Sequence, residues 1–396
     1  MTATPARTTR DFVSRTVAAI PPSGIRRFFD IAATMQGVIS LGVGEPDFVT
    51  PAPVIAAAKA SLDKGRTGYT SNRGLAELRD RIAHETATRY GATYDPATEI
   101  LVTTGVSEGF DLAIRATIDP GDEVIVPEPS YVCYPPCVAL AGGVPIPVAT
   151  SAADGFSVTA RQVAAAITPR TKAIVLGYPN NPTGAAVPRD ELAAIVRLAV
   201  DHDLLLISDE IYARLTYDGW IHACVAALPG ARDRTILLNG FSKAYAMTGW
   251  RLGYACAPAH VIEAMMKVHQ YGMLSAPTMA QHAAIEALDH GEADVQRMVA
   301  EYARRRSLIV ACLNDLGLEC SRPRGAFYAF PSIRRTGLTS DEFAERLLME
   351  ERVAVIPGPV FGAGGEGHVR MCYATSYDHL EEALDRISRF LGRVCP

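Results

Sequence analysis

From about Ile100 to Pro258 the chain alternates short apolar, β-rich runs with stretches of helical character, and this alternation constrains the fold more than any other feature. The strand candidates are Ile100–Thr104, Glu123–Pro127, Lys172–Tyr178, Leu204–Asp209, Thr235–Asn239 and Arg251–Ala257. The helices between and after them include Ser107–Thr117, Arg189–Asp201 and Pro258–Gln270. Strands that are apolar throughout must be covered on both faces, and intervening helices supply the cover. The expected class is therefore α/β, with a mostly parallel sheet between helical layers. From about Gly291 the pattern changes to a long helix (Asp294–Leu316), short strands around Ala326–Phe330 and Val353–Ile356, and a closing helix (Tyr377–Leu391). That reads as a second, smaller α+β domain, and a chain of 396 residues is long enough for two.

Ligands of such sheets gather outside the carboxyl ends of the strands. Polar punctuation falls there: Thr103-Thr104-Gly105, Asn180-Asn181-Pro182, Asp209-Glu210 and Ser242-Lys243 each follow or close a strand candidate. Four elements thus deliver polar groups to one rim. A net charge of -5 and the lack of a basic tract argue against a nucleic-acid partner. No apolar run is long enough to span a membrane. Met1 to Arg10 lacks the apolar core of a secretory signal and reads as a frayed terminus. The eight cysteines are scattered; Cys133 and Cys137 have no matching Cys or His pair nearby, so no metal site is expected. Reduced thiols and a cytoplasmic location follow as expectations.

The string Gly240-Phe241-Ser242-Lys243-Ala244-Tyr245-Ala246-Met247-Thr248-Gly249-Trp250-Arg251-Leu252-Gly253 carries the chemistry. A lysine nucleophile needs a partly desolvated seat, because desolvation favours the neutral amine. An arginine eight residues on can clamp a phosphate through its planar fork of donors. This string resembles the lysine-attachment motif of the class I and II aminotransferases, pyridoxal 5'-phosphate (PLP) enzymes of fold type I, in the aspartate/aromatic branch. Further matches run in order from Gly42 to Arg370, so the resemblance covers nearly the whole chain.

The resemblance implies a seven-stranded, mostly parallel sheet, with residues 46–290 forming a large PLP-binding domain and residues 1–45 plus 291–396 a small one. It implies that Lys243 holds PLP as a Schiff base and later moves the substrate proton, while Asp209 faces the pyridine nitrogen. A strand-end Asp209 capping a turn is the plainer alternative. Tyr212 and Asn181 correspond to the groups that reach the cofactor's phenolic oxygen; Asn181, not Asn180, stands before the proline of Asn181-Pro182-Thr183-Gly184. Gly105, Val106 and Ser107 lie at a strand-to-helix step whose free amides can hold a phosphate. Ser242 and Arg251 add to that cup, where Gly240 replaces a serine carried by some relatives. Tyr131 matches an aromatic that stacks on the ring. Tyr69 matches a tyrosine that crosses from a neighbouring subunit, which implies a homodimer. Arg370, alone in an apolar run, needs a partner; the resemblance makes that partner the substrate carboxylate, and a structural ion pair is the rival. Gly42 approaches the same carboxylate through its backbone.

The implied reaction is transamination with ping-pong kinetics, through an imine of Lys243 with PLP. A C–S lyase or other eliminating enzyme of the same fold would share most of these residues, and a binding protein with a degenerate PLP fold is the non-enzymatic alternative. Intact Lys243, Asp209 and Arg370 weigh against the latter. For substrate, Ser23-Gly24-Ile25-Arg26, Tyr69 and His269-Gln270-Tyr271-Gly272 are candidate pocket segments, and no second arginine suited to a side-chain carboxylate stands out. An aromatic or other neutral amino acid with 2-oxoglutarate is expected; aspartate and N-acetyl-diaminopimelate are the alternatives.

Overall fold

The computed structural model describes residues 12–22, 24, 25, 31 and 34–395. Met1–Arg10, Ser23 and Arg26 lie outside the described residues. The strands, in chain order, are β1 (Ile39–Ser40), β2 (Ile100–Thr103), β3 (Glu123–Glu128), β4 (Val144–Ala149), β5 (Thr171–Gly177), β6 (Leu205–Asp209), β7 (Thr235–Gly240), β8 (Gly253–Cys256), β9 (Tyr328–Ala329), β10 (Val353–Ala354), β11 (Ile356–Pro357) and β12 (Val369–Cys372). Seven of them form one sheet in the order β2-β8-β7-β6-β5-β3-β4. Only β8 runs against its neighbours β2 and β7; the remaining pairs are parallel.

All six strand candidates form, each within two residues of its expected ends. The seventh, β4, reads Val-Pro-Ile-Pro-Val-Ala and carries no strand signal, because proline cannot donate to a ladder. Its place at the sheet edge resolves the conflict. The amides of Val144 and Thr150 donate to Asp122 and Glu128 on the β3 side, at 2.8 and 2.7 Å. Even-numbered amides therefore face β3, and Pro145 and Pro147 turn their missing donors outward.

Two small sheets follow the change of pattern after Gly291. β1 pairs in parallel with β10, and β11-β12-β9 form an antiparallel trio. The helices Glu292–Asp315, Ser340–Glu351 and Tyr377–Val394 pack on them. Tyr377–Val394 buries Leu380, Ala383, Leu384, Ile387, Phe390 and Leu391, one helical face at three- and four-residue spacing. The helix Ser340–Glu351 starts at a capping box, with Thr339 and Glu342 each satisfying the other's backbone amide. One apolar cluster runs from Ile125, Ile174 and Leu206 of the large sheet to Tyr302, Phe327, Val355 and Phe390. The large sheet and the C-terminal segment are thus held by continuous packing. Among the described residues no helix is long and apolar enough to cross a membrane, and no cluster of candidate metal ligands occurs.

A buried cation strengthens this junction. Arg306, on the helix Glu292–Asp315, is 1% exposed and lies 4.6 Å over the Tyr217 ring. It donates to Pro323 O at 2.8 Å and to Asp218 Oδ1 at 2.7 Å. The Arg306 hydrogen bond holds the Asp218 carboxyl down to about 2. The stability this pair supplies is fully present above the ordinary value of 3.8 and is lost only as pH falls through about 2. Asp218→Ala should cost about 2 kcal/mol in urea unfolding, less than a fully enclosed pair because Asp218 is partly solvated and shared with Arg322.

Candidate active site

A cavity of about 370 Å³ opens at the carboxyl ends of the parallel strands. Val106, Ser107, Tyr131, Asn181, Asp209, Tyr212, Ser242, Lys243, Arg251 and Arg370 all line it, so ten of the sequence candidates converge.

One end of the cavity is built from backbone. β2 passes through Thr104 into Gly105, whose φ of +78° suits glycine, and the helix Gly105–Thr117 begins there. A Cβ on Gly105 would stand 2.7 Å from Arg251 Nη2. A Cβ on Gly253 would stand 2.7 Å from the Val106 nitrogen, and one on Gly240 would stand 2.8 Å from the Gly253 Cα. Three glycines thus let β7, β8 and the helix start press together. Arg251, itself at φ +52°, is held by a bond to Thr248 O at 3.2 Å and presents its guanidinium beside the helix N-terminus. First-turn amides, the Arg251 fork and the hydroxyls of Ser107 and Ser242 make a cradle for a polyanionic group. Glu108 in the same turn is engaged elsewhere, bonded to the Thr104 amide and, at 2.7 Å, to His269 Nδ1.

The cavity floor carries Asp209, at the end of β6. Its Oδ2 accepts from the Tyr134 hydroxyl at 2.8 Å and its Oδ1 from the Ile211 amide at 3.2 Å. Burial raises the carboxyl to about 6, with the Tyr134 and Ile211 bonds pulling the other way. A carboxylate so placed calls for a cation. The adjacent Glu210 faces away, taking bonds from Ser208, Val225 and His222.

Above the floor, Lys243 Nζ donates to Gly44 O at 2.7 Å and lies 5.9 and 5.8 Å from the centres of the Tyr212 and Phe327 rings. Burial lowers the amine to about 8, so a neutral fraction of roughly a tenth exists at about pH 7, far more than an ordinary lysine has. The Tyr212 hydroxyl lies 2.7 Å from that of Tyr328.

Arg370 closes the far wall. It is 2% exposed and lies between the rings of Tyr328 and Phe361, 4.7 and 4.8 Å from their centres. It donates to Asn181 Oδ1 at 2.8 Å and to Gly42 O at 2.5 Å, while its Nε has no partner among the described residues. Among the described residues no carboxylate pairs with it, so the structural ion pair anticipated as a rival is not seen there. With the Asn181 oxygen taken by Arg370, the amide nitrogen of Asn181 remains as a donor. Asn180, by contrast, is spent on the turn, accepting from Thr183 Oγ1 at 2.8 Å and donating to Gly177 O.

Other expectations fare differently. Gly105 and Gly42 support the wall from behind, through Arg251 and Arg370. Tyr69 is 84% exposed and does not line this chain's cavity. Within Ser23–Arg26, Ile25 lines it. The stretch His269–Gly272 does not: His269 is buried against Glu108, and Tyr271 points to solvent. Tyr134 and Tyr328 were missed by sequence reasoning. Each is an aromatic in an apolar neighbourhood, and only the fold brings its hydroxyl to a polar partner.

Residues 36–387 match the family model described as aminotransferase class I and II. The chain is 46% identical to the aspartate aminotransferase of Pyrococcus abyssi, over 94% of this chain and 96% of that protein. It is 43% identical to aromatic-amino-acid aminotransferase 2 of Thermococcus litoralis, again over 94% of this chain and 96% of that protein. The structure of the aspartate aminotransferase from Thermus thermophilus with maleate superposes with a TM-score of 0.92, at 43% identity, covering 96% of this chain and all of that one.

The Asp209 environment gives a test on the chain without ligand. Between the ordinary value of 3.8 and about 6, the native state keeps a proton that the unfolded chain has released. Stability therefore falls as pH rises through that window and levels off above it. Asp209→Asn should remove this fall, as urea unfolding from about pH 4 to pH 7 would show.

Proposed function

The chain belongs to the class I and II aminotransferases, and on that premise we propose that it is a PLP-dependent enzyme moving an amino group between a neutral, preferably aromatic, L-amino acid and a 2-oxo acid such as 2-oxoglutarate. The observation that carries the reading is a buried guanidinium with no carboxylate partner among the described residues, Arg370, sharing one cavity with a buried and weakly basic amine, Lys243. The residues fit PLP on three counts. The glycine-built cradle with Arg251 suits a phosphate, Asp209 suits a protonated ring nitrogen, and Lys243 suits an aldehyde carbon.

PLP, when bound, supplies an electron-accepting ring that stabilises negative charge developing on the substrate α-carbon. The chain's own residues do the rest. Arg370 takes the α-carboxylate in a two-pronged grip, with Asn181 and the Gly42 carbonyl fixing the plane of its fork. The Tyr328 and Phe361 rings on either side exclude water and strengthen that charge pairing. Lys243, once neutral and released from Gly44 O, accepts the proton of the α-carbon and can deliver it to the neighbouring acceptor carbon. Asp209 keeps its negative charge at the floor, where a cation offsets the cost of burial. Tyr212 and Asn181 present donors from the same wall.

Substrate preference is read from the lining that the groups above leave over. Ile25 and Val43 line the cavity, as does Glu45, which accepts from Thr248 at 3.1 Å, and the lining cations among the described residues are Lys243, Arg251 and Arg370. Those three cations have the roles above, so no further lining cation of a described residue is left to hold a side-chain carboxylate. We also propose a homodimer in which Tyr69 of one copy reaches the phosphate end of the other. Its exposure, with a neighbouring helix end bearing exposed Tyr271 and Met273, supports this, and Thr278 Oγ1 ties that region to Gly68 O at 2.7 Å.

The deciding experiment is the visible absorption of the PLP-loaded chain as single L-amino acids are added without any oxo acid. Transamination predicts that an aromatic amino acid abolishes the band while its 2-oxo acid appears in one equivalent. Continued oxo-acid formation with ammonia would instead mean elimination. Arg370→Lys keeps the charge but loses the fork, and should raise KM for the amino acid about 10- to 100-fold with a smaller change in kcat, measured by steady-state kinetics.

A further inference from the structure

Resting on the PLP reading above, we propose that Tyr134 is a positioning residue for Asp209, its hydroxyl fixing the carboxylate so that the remaining lone pairs face the cavity. Three elements meet to make this contact. Asp209 ends β6, and Gly177 lies directly opposite it at the end of β5. A Cβ on Gly177 would stand 2.6 Å from the Tyr134 hydroxyl oxygen, so the glycine opens the passage through which that hydroxyl reaches Oδ2 at 2.8 Å. The ring is held from two sides, by Phe110 at 4.7 Å and by the edge of Tyr131 at 5.8 Å. It is 4% exposed and cannot swing away.

The Ile211 amide holds Oδ1 and Tyr134 holds Oδ2, so the carboxylate is fixed at both oxygens. Glu210 and Lys243 are the other charged groups that act on Asp209, and neither donates to it. Cys133, Tyr131 and Asp209 are the titratable groups acting on Tyr134. Burial keeps the phenol far above its ordinary value, so it stays a donor throughout the working range. A donor to the ionised form favours that form, and a carboxylate that lost it would compete harder for the single proton shared with a ring nitrogen.

Tyr134→Phe removes the donor and little volume. In the chain without PLP, the Asp209 carboxyl should titrate about one pH unit higher, read by isotope-edited infrared difference against Asp209→Asn. In the loaded chain the pH midpoint of the visible band should move, and kcat should fall about tenfold with KM nearly unchanged. Gly177→Ala keeps the hydroxyl but displaces it, and should move the band midpoint in the same direction. An unaltered carboxyl titration and band midpoint in Tyr134→Phe would overturn the positioning role alone. A wild-type chain that forms no visible band with PLP would overturn the functional reading, and this inference with it.

Discussion

Arg370 is the interaction on which the arrangement of the site depends. A guanidinium removed from water must donate its protons, and here it finds a carbonyl after β1, Gly42, and an amide after β5, Asn181. Those groups lie 328 and 189 residues away from it in sequence. Satisfying one buried cation therefore draws the N-terminal strand, the large sheet and β12 to the same wall. The segment so anchored carries Gly44, whose carbonyl receives Lys243. With Nε unpaired among the described residues, the cation is held in place yet not fully satisfied.

The same low-polarity cavity moves the titrations of Lys243 and Asp209 towards each other. Burial lowers Lys243 to about 8 and raises Asp209 to about 6, so both come within reach of neutrality from opposite sides. Neither perturbation needs an unusual neighbour. The amine becomes a usable base, and the carboxylate becomes a group whose charge awaits a partner.

Much of this was legible in the sequence where the signal was local. Lys243 and Arg251 stand in one fourteen-residue string, and Arg370 was conspicuous as a lone charge in an apolar run. Strands covered on both faces are apolar end to end, which is why six of seven appeared. The seventh hid because Pro145 and Pro147 are tolerable only at an edge, and edge position is a property of the whole sheet. Tyr134 and Tyr328 hid for a related reason. A tyrosine's ring declares burial, but the partner of its hydroxyl is set by strands far away in sequence. The run His269–Gly272 shows the converse: a polar residue that looks available in the sequence can be spent on a buried partner, as His269 is on Glu108.

The glycine contacts beneath the anion cradle have a consequence for how such a catalyst can change over time. At Gly240, Gly253 and Gly105, backbone or an anchored guanidinium lies where any side chain would have to go. Those three positions leave no room for adjustment, and a side chain at any of them would press on neighbouring backbone or on the Arg251 guanidinium beside the helix start. The opposite mouth is formed by Ile25 and Val43, neither of them deeply packed, so their shapes are free to drift. An enzyme divided in this way can acquire a new amino-acid preference by a few changes at its lip while its chemistry stays untouched.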